Sequence, residues 1–375
     1  MKTKKIIFLT GTRADFGKLK PLMKALDKEK DFEVHIFVTG MHMFPKYGST
    51  GDEIDKSGFK NTFHFINQQS SDSIDCILAN TIYGLRNYVS LIKPDMLIIH
   101  GDRVEALAGA IVGAFNNILV SHIEGGEVSG TIDESIRHSI TKLSHIHFVA
   151  NNEAKGRLVQ MGEDDMSIHV IGSPDIDLMS SRNLPSSKAV KKYYEIAFDK
   201  YAIFMYHPVT TNLHNLLNYT QEIMNSLIES GKNYIAIYPN NDPGSDIIIE
   251  ELELLRKNPR FRILPSMRFE AFLTLLKSCD FIIGNSSTGI REAPFYGVPS
   301  INIGNRQNRR FAHETILDVG ESKNKILSAI KNIKNIKCVK SGHFGDGKST
   351  ERFKNIIRTS NTWKISIQKN FVDRF

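Results

Sequence analysis

The sequence predicts an α/β protein of two doubly wound parallel-sheet domains, and three observations lead there. Short apolar runs of strand length recur at residues 6–9, 34–38, 96–99, 118–120 and 146–149, with helix-length segments between them. A second series follows at residues 201–206, 234–238, 261–264, 281–283 and 300–303, again spaced for crossover helices. The chain has 375 residues with 41% hydrophobic content, long enough to bury two cores.

The first series is expected to form a domain over residues 1–183 and the second a domain over residues 188–349, with Leu184-Pro185-Ser186-Ser187 as the linker. Residues 350–375, which include Trp363 and Phe371, read as a helical tail packing back on the first domain. The opening Met1-Lys2-Thr3-Lys4-Lys5 is basic, but the apolar run after it is too short for a signal peptide or a membrane span, so a cytoplasmic protein is expected. Cys76, Cys279 and Cys338 lack the spacing of a disulfide framework or a metal knuckle. The net charge of +7 arises from interleaved charges of both signs, which argues against nucleic acid, and the basic stretch 323–340 reads as a solvated helix face. A modest positive excess suits a polyanionic small substrate.

Most reactive side chains follow an apolar strand directly. In the first half these are Gly11-Thr12-Arg13-Ala14-Asp15, His100-Gly101-Asp102-Arg103 and His122-Ile123-Glu124-Gly125-Gly126-Glu127. In the second they are His207-Pro208, Pro239-Asn240-Asn241-Asp242 and Gly284-Asn285-Ser286-Ser287. Open α/β sheets bind ligands at the carboxyl ends of their strands, so the two sets of loops are expected to face one interdomain cleft.

Gly284-Asn285-Ser286-Ser287-Thr288-Gly289 leads into a helix expected near Ile290, where free N–H groups and hydroxyls can hold a diphosphate. Glu292, one turn into that helix, can accept from ribose hydroxyls; a serine-rich cap with an ordinary first-turn carboxylate explains the same residues equally well. The loop lacks the Gly-Lys-Ser/Thr ending of a Walker loop. Arg13 and Lys18, at the first strand-to-helix turn, can neutralise a departing pyrophosphate, while Asp15 reads as a helix cap. Arg306 can add charge from the second half, and His207 before a proline is by itself an ordinary loop histidine.

Asp102, Glu124, Glu127 and Asp133 supply carboxylates at adjacent strand ends, beside His100, His122, His138, His145 and His147. Such clustering separates pKa values and suits proton transfer. Structural roles compete: Thr131-Ile132-Asp133-Glu134 matches a capping box, Asp133 and Arg137 form an i,i+4 pair, and Asp102 can belong to a salt bridge. His145 and His147 on one strand face suggest a metal site with His122, but no paired spacing supports it and no metal is expected.

Taken together, the stretches beginning at Gly11, His100, His122 and His207, with Gly284-Asn285-Ser286-Ser287 and Gly304-Asn305-Arg306-Gln307, resemble the hydrolysing UDP-N-acetylglucosamine 2-epimerases. They run in that family's order through most of the chain; Asn305 departs from the threonine more often found there. The resemblance implies two Rossmann-like domains with an interdomain cleft, the GT-B-like arrangement of one large glycosyltransferase class. It also implies release of UDP and N-acetylmannosamine, the first step towards sialic acid, without a cofactor. Asp102, Glu124 and Asp133 take the catalytic carboxylate positions, and His207, near the diphosphate, joins them. Arg13, Asn240, Ser286, Ser287, Glu292 and Arg306 take UDP-site positions, and Lys18, Arg103, Met267 and Gly289 complete the expected substrate-binding set. UDP-N-acetylglucosamine is the expected small-molecule partner, with no nucleic acid or membrane, in a homo-oligomer that is a dimer or tetramer. A UDP-linked diacetamido trideoxy sugar, non-hydrolysing epimerisation and glycosyl transfer are the alternatives.

Overall fold

The computed structural model describes residues 3–47, 50–69, 72–181 and 183–373. The chain divides into two compact units: Met1–Glu127, Asp133–Ser181 and His343–Phe375 form the first, and Val128–Ile132 with Arg182–Gly342 the second.

The first unit holds a parallel sheet of β1 (Lys4–Thr10), β2 (Phe32–Val38), β3 (Thr62–His64), β4 (Met96–His100), β5 (Leu119–Ile123), β6 (Ile146–Val149) and β7 (Ile168–Val170). Their order is β3-β2-β1-β4-β5-β6-β7. Its helices are α1 (Arg13–Asp27), α2 (Gly51–Asp55), α3 (Ile74–Ile92), α4 (Val104–Phe115), α5 (Ile132–Leu143), α6 (Asn152–Gln160) and α7 (Pro174–Ser180). Strand β1 is apolar on both faces because helices cover both. Ile6 and Phe8 face one side with Leu19 and Leu22 of α1, whereas Ile7 and Leu9 face the other with Leu85 of α3 and Ala106 of α4.

The second unit comprises β8 (Ala202–Met205), β9 (Tyr234–Ile237), β10 (Phe261–Leu264), β11 (Ile282–Gly284), β12 (Ser300–Ile303) and β13 (Ile316–Val319), ordered β10-β9-β8-β11-β12-β13 and also parallel. Around it run α8 (Ser187–Tyr193), α9 (Leu216–Glu229), α10 (Ser245–Leu254), α11 (Phe269–Ser278), α12 (Glu292–Tyr296) and α13 (Lys323–Asn332). The basic stretch of α13 has an apolar face, with Ile326 and Ile330 in the core.

Three differences from the sequence expectation concern boundaries. Residues 184–187 are not a free linker: Ser186 caps α8, and the Pro185 carbonyl accepts from the Thr274 hydroxyl at 2.9 Å. Residues 128–132 group with the second unit, where the Gly130 N–H donates to the Arg306 carbonyl at 2.9 Å. The chain is back in the first unit from His343, ahead of residue 350. There α14 (Ser349–Arg358) buries Phe353 and Ile357 on the α1 side of the sheet, and Trp363 stacks on Phe32 with ring centroids 6.2 Å apart. No helix among the described residues is long and apolar enough to cross a membrane.

Candidate active site

In the first unit the carboxyl ends of β1, β4, β5 and β7 deliver one buried charge cluster. Thr12 caps α1 by accepting from the Asp15 N–H at 3.1 Å, so the cap is Thr12 and not Asp15. The Asp15 carboxylate turns back to accept from the Gly11 N–H at 3.0 Å, and its other oxygen lies 3.0 Å from Nδ1 of His100. Nε2 of the same ring is 3.4 Å from Oε1 of Glu124. That oxygen also meets the Lys18 ammonium at 3.2 Å and accepts from the Ser173 hydroxyl at 2.8 Å. Asp175 stands 3.8 Å beyond the ammonium. Lys18 is thus buried among carboxylates in this geometry, although a place beside a departing pyrophosphate was expected for it. Glu124 itself has φ 68°, the left-handed region that costs a non-glycine residue strain and that concentrates at functional positions.

Burial opposes a charge on His100, but the Glu124 and Asp15 carboxylates outweigh it and hold the ring's pKa up at about 9. Because this value exceeds the ordinary 6.5, the ring's contribution to stability is complete below pH 6.5 and is lost as pH rises through about 9. The melting temperature of the native protein is expected to fall across that window, and His100→Gln should flatten this part of the curve. A native curve already flat there would rule out the charged ring.

Asp102, leaving β4, pairs with the guanidinium of Arg137 on α5, which also donates to the Glu127 carbonyl at 3.0 Å. Arg137 is 1% exposed. Burial acts against its charge, and Asp102, Glu127, Asp133 and Glu124 together raise its pKa. Asp133, half-buried in the first turn of α5, is therefore one of several carboxylates acting on Arg137. Arg103 turns to Glu105 at 3.3 Å, and Arg13 pairs with Glu53 at 2.9 Å.

His122, His145 and His147 serve as hydrogen-bond partners. Strand β5 continues past the apolar run through Ser121 and His122, so this ring lies inside the strand, fully buried, with Nε2 donating to the Gly101 carbonyl at 2.8 Å. Burial pushes its pKa down to about 3, and it is a neutral structural group. His145 precedes β6 and accepts from the Val120 N–H at 3.0 Å, while His147 meets Glu163 at 3.0 Å. Among the described residues no group of three His, Cys, Asp or Glu side chains could hold a metal ion.

In the second unit, His207 and Asn285 lock the ends of β8 and β11 together. The His207 N–H donates to Oδ1 of Asn285 at 2.7 Å, and Nδ2 of Asn285 donates back to the His207 carbonyl at 2.8 Å. Gly284 permits this approach: its φ is 135°, and a Cβ there would lie 1.8 Å from the Met205 carbonyl oxygen. Nδ1 of His207 accepts from the Asn240 N–H at 3.2 Å, and Arg306 donates to the Asn285 carbonyl at 3.4 Å. His207, Asn240 and Arg306 therefore converge on neighbouring strand ends.

Ser286 caps a separate 3-10 turn, Ser287–Gly289, accepting from the Thr288 N–H at 3.4 Å. The following helix begins at Glu292 rather than near Ile290, because Pro294 fits only the first turn of an α-helix. Glu292 is accordingly at the helix start, buried, and not one turn in. A helix of five residues adds little dipole, so any anion is held by the hydroxyls and N–H groups of the turn. Met267 is buried beyond β10, and Gly289 packs under Ser300, whose Oγ a Cβ would meet at 2.5 Å.

Ser173 and Asp175 were missed in the sequence. Their signal is that used for the other loops: Gly172-Ser173-Pro174-Asp175 follows the apolar positions Ile168 and Ile171, but the run is short and interrupted by His169.

Parallel sheets with buried ionisable and amide groups gathered in the turns after their strands define a doubly wound α/β enzyme. More particularly, the chain belongs to the UDP-N-acetylglucosamine 2-epimerase family, whose profile matches residues 24–358. It is 49% identical to the UDP-N-acetylglucosamine 2-epimerase of Neisseria meningitidis serogroup B over 99% of both chains. It is 34% identical to the hydrolysing UDP-N,N'-diacetylbacillosamine 2-epimerase of Legionella pneumophila, covering 95% of this chain and 96% of that protein. In fold it is similar to the crystal structure of the Methanocaldococcus jannaschii UDP-N-acetylglucosamine 2-epimerase in complex with UDP-N-acetylglucosamine and UDP. That likeness has a TM-score of 0.81 at 24% identity and spans 94% of this chain and 99% of the other.

Proposed function

We propose that the protein is a cytoplasmic hydrolysing UDP-N-acetylglucosamine 2-epimerase that converts its substrate and water into UDP and N-acetylmannosamine, the first step towards sialic acid. The observation that carries this is the full-length 49% identity to the Neisseria enzyme, and the buried cluster around Glu124 supplies the chemistry.

The hydrogen on sugar carbon 2 is not next to a carbonyl, so a carboxylate alone cannot remove it. As UDP departs, positive charge grows at carbon 1 and acidifies that hydrogen; a carboxylate then completes an elimination to an unsaturated sugar. Water adds at carbon 1, and a proton returns to carbon 2 from the opposite face. Asp102, Glu124 and Asp133 are assigned to proton transfer. Arg13, Asn240, Ser286, Ser287, Glu292 and Arg306 are assigned to the nucleotide, with Arg103, Met267 and Gly289 around the substrate, and His207, near the diphosphate, joins the catalytic set. Lys18, expected in the substrate-binding set, forms an ion pair with Glu124 at 3.2 Å. A homo-oligomer accompanies this assignment, supported by Tyr83, Leu91 and Phe115, which α3 and α4 leave exposed.

Turnover in deuterated water should place solvent deuterium at carbon 2 of released N-acetylmannosamine. Unlabelled product would sink the elimination. Offering the corresponding UDP-linked diacetamido trideoxy sugar in parallel tests the second reading, which the Legionella relative supports; faster turnover of that sugar would replace the substrate proposed here. Ser286→Ala with Ser287→Ala should weaken UDP by about 1–3 kcal/mol in calorimetry, the range for lost hydrogen bonds to a charged group. Unchanged affinity would leave this turn with a capping role alone.

A further inference from the structure

The segment with which the chain re-enters the first unit is wired to Glu124 through one serine. Ser173 is fully buried, and both of its backbone groups bond that segment, the carbonyl also accepting from the Ile176 N–H at 3.1 Å. Its N–H donates to the Phe344 carbonyl at 2.7 Å, and its carbonyl accepts from the Ser349 hydroxyl at 3.0 Å. Ser349 is fixed in turn, since the Ser349 and Thr350 N–H groups donate to the two carboxylate oxygens of Asp177 at 2.9 and 2.6 Å. The two strands of backbone touch at Gly172, where φ is 86° and a Cβ would lie 2.9 Å from Oγ of Ser349. With its backbone so held, Ser173 directs its hydroxyl to Oε1 of Glu124 at 2.8 Å.

We propose that Ser173 is a positioning residue for Glu124, and that the returning segment from Phe344 to Ser349 keeps it in place. This rests on the assignment of Glu124 to proton transfer. Among the contacts of Oε1 named above, those of the Lys18 ammonium at 3.2 Å and the His100 ring at 3.4 Å are longer than that of the hydroxyl. An ammonium acts nearly as a point charge, whereas an O–H fixes direction and, by donating, favours the ionised carboxylate. The charged groups that face Glu124 come from several elements: Lys18 and, behind His100, Asp15 from α1; His100 from β4; Arg137 from α5; and Asp175 from α7 beyond Lys18. All of them stay in place when the serine is changed.

The test follows kcat and KM for UDP-N-acetylglucosamine across pH in the native protein, Ser173→Ala, Ser349→Ala and Glu124→Gln. Ser173→Ala is expected to move the acid limb of kcat/KM to higher pH and to lower kcat roughly tenfold or more with KM unchanged, as for a lost hydrogen bond to a charged group. Ser349→Ala should shift the limb in the same direction by less, and it supplies the decision if Ser173→Ala does not fold. Ser173→Thr, which retains the hydroxyl, should restore the acid limb. A native acid limb in both alanine variants, with only a lowered melting temperature, overturns the proposal while leaving Glu124 as assigned, provided that Glu124→Gln is inactive. Retained turnover in Glu124→Gln overturns the assignment beneath it.

Discussion

Glu124→Gln is expected to lower turnover of UDP-N-acetylglucosamine by roughly 10²–10⁴-fold, the usual cost of a lost acid–base group. The amide keeps the shape of the side chain and can still accept from Ser173 and Lys18, so packing is largely conserved. What disappears is the negative charge. With it goes much of the support for the His100 cation, whose raised pKa depends on Glu124 and Asp15 together. The variant should therefore also lose part of the alkaline drop in stability described for the native protein. UDP binding should survive, since Glu124 is assigned no contact with the nucleotide. Turnover within a few-fold of native would remove Glu124 from the mechanism.

Asp102→Asn carries an effect of similar size on turnover and a second one on stability. Its partner Arg137 is buried and would be left facing an amide, so loss of about 1.5–3 kcal/mol is expected on the scale of hydrogen bonds between charged groups. The two losses separate in the double variant Asp102→Asn with Arg137→Met, which removes both charges and should recover much of the stability without recovering turnover. If the double variant regained activity, Asp102 would be a salt-bridge residue and nothing more.

Much of this architecture was legible in the sequence wherever a strand is buried on both faces. Such strands read as continuous apolar runs, and those at 261–264, 300–303 and 146–149 coincide with β10, β12 and β6. The strands that escaped notice, β3, β7 and β13, are edge strands of their sheets with polar residues such as His64, His169 and Asp318. Missing β7 also hid Ser173 and Asp175, because a polar turn is conspicuous only after a recognised strand. Arg137 was seen as the helical neighbour of Asp133, yet its bond to Asp102 spans 35 positions, and no local spacing reports it. The same holds for Lys18: in the second turn of α1 it reads as a cation for the pyrophosphate or as a solvent-facing lysine, and no local spacing reports that Glu124 after β5 and Asp175 of α7 lie beside it.

The interrupted course of the first unit has a consequence for how the protein comes into being on the ribosome. Strands β1 to β7 are translated first, but the Ser173 N–H finds its partner only when Phe344 has emerged, its carbonyl gains the Ser349 hydroxyl later still, and the α1 face of the sheet is not fully covered until Phe353 follows. Meanwhile residues 182–342, nearly all of the second unit, form one uninterrupted stretch and can fold as they appear. At about 5–20 residues per second, the nascent first sheet waits on the order of ten seconds with part of an apolar face uncovered. Slowed elongation between residues 182 and 342 should therefore lower the yield of soluble protein through the part of the chain already made.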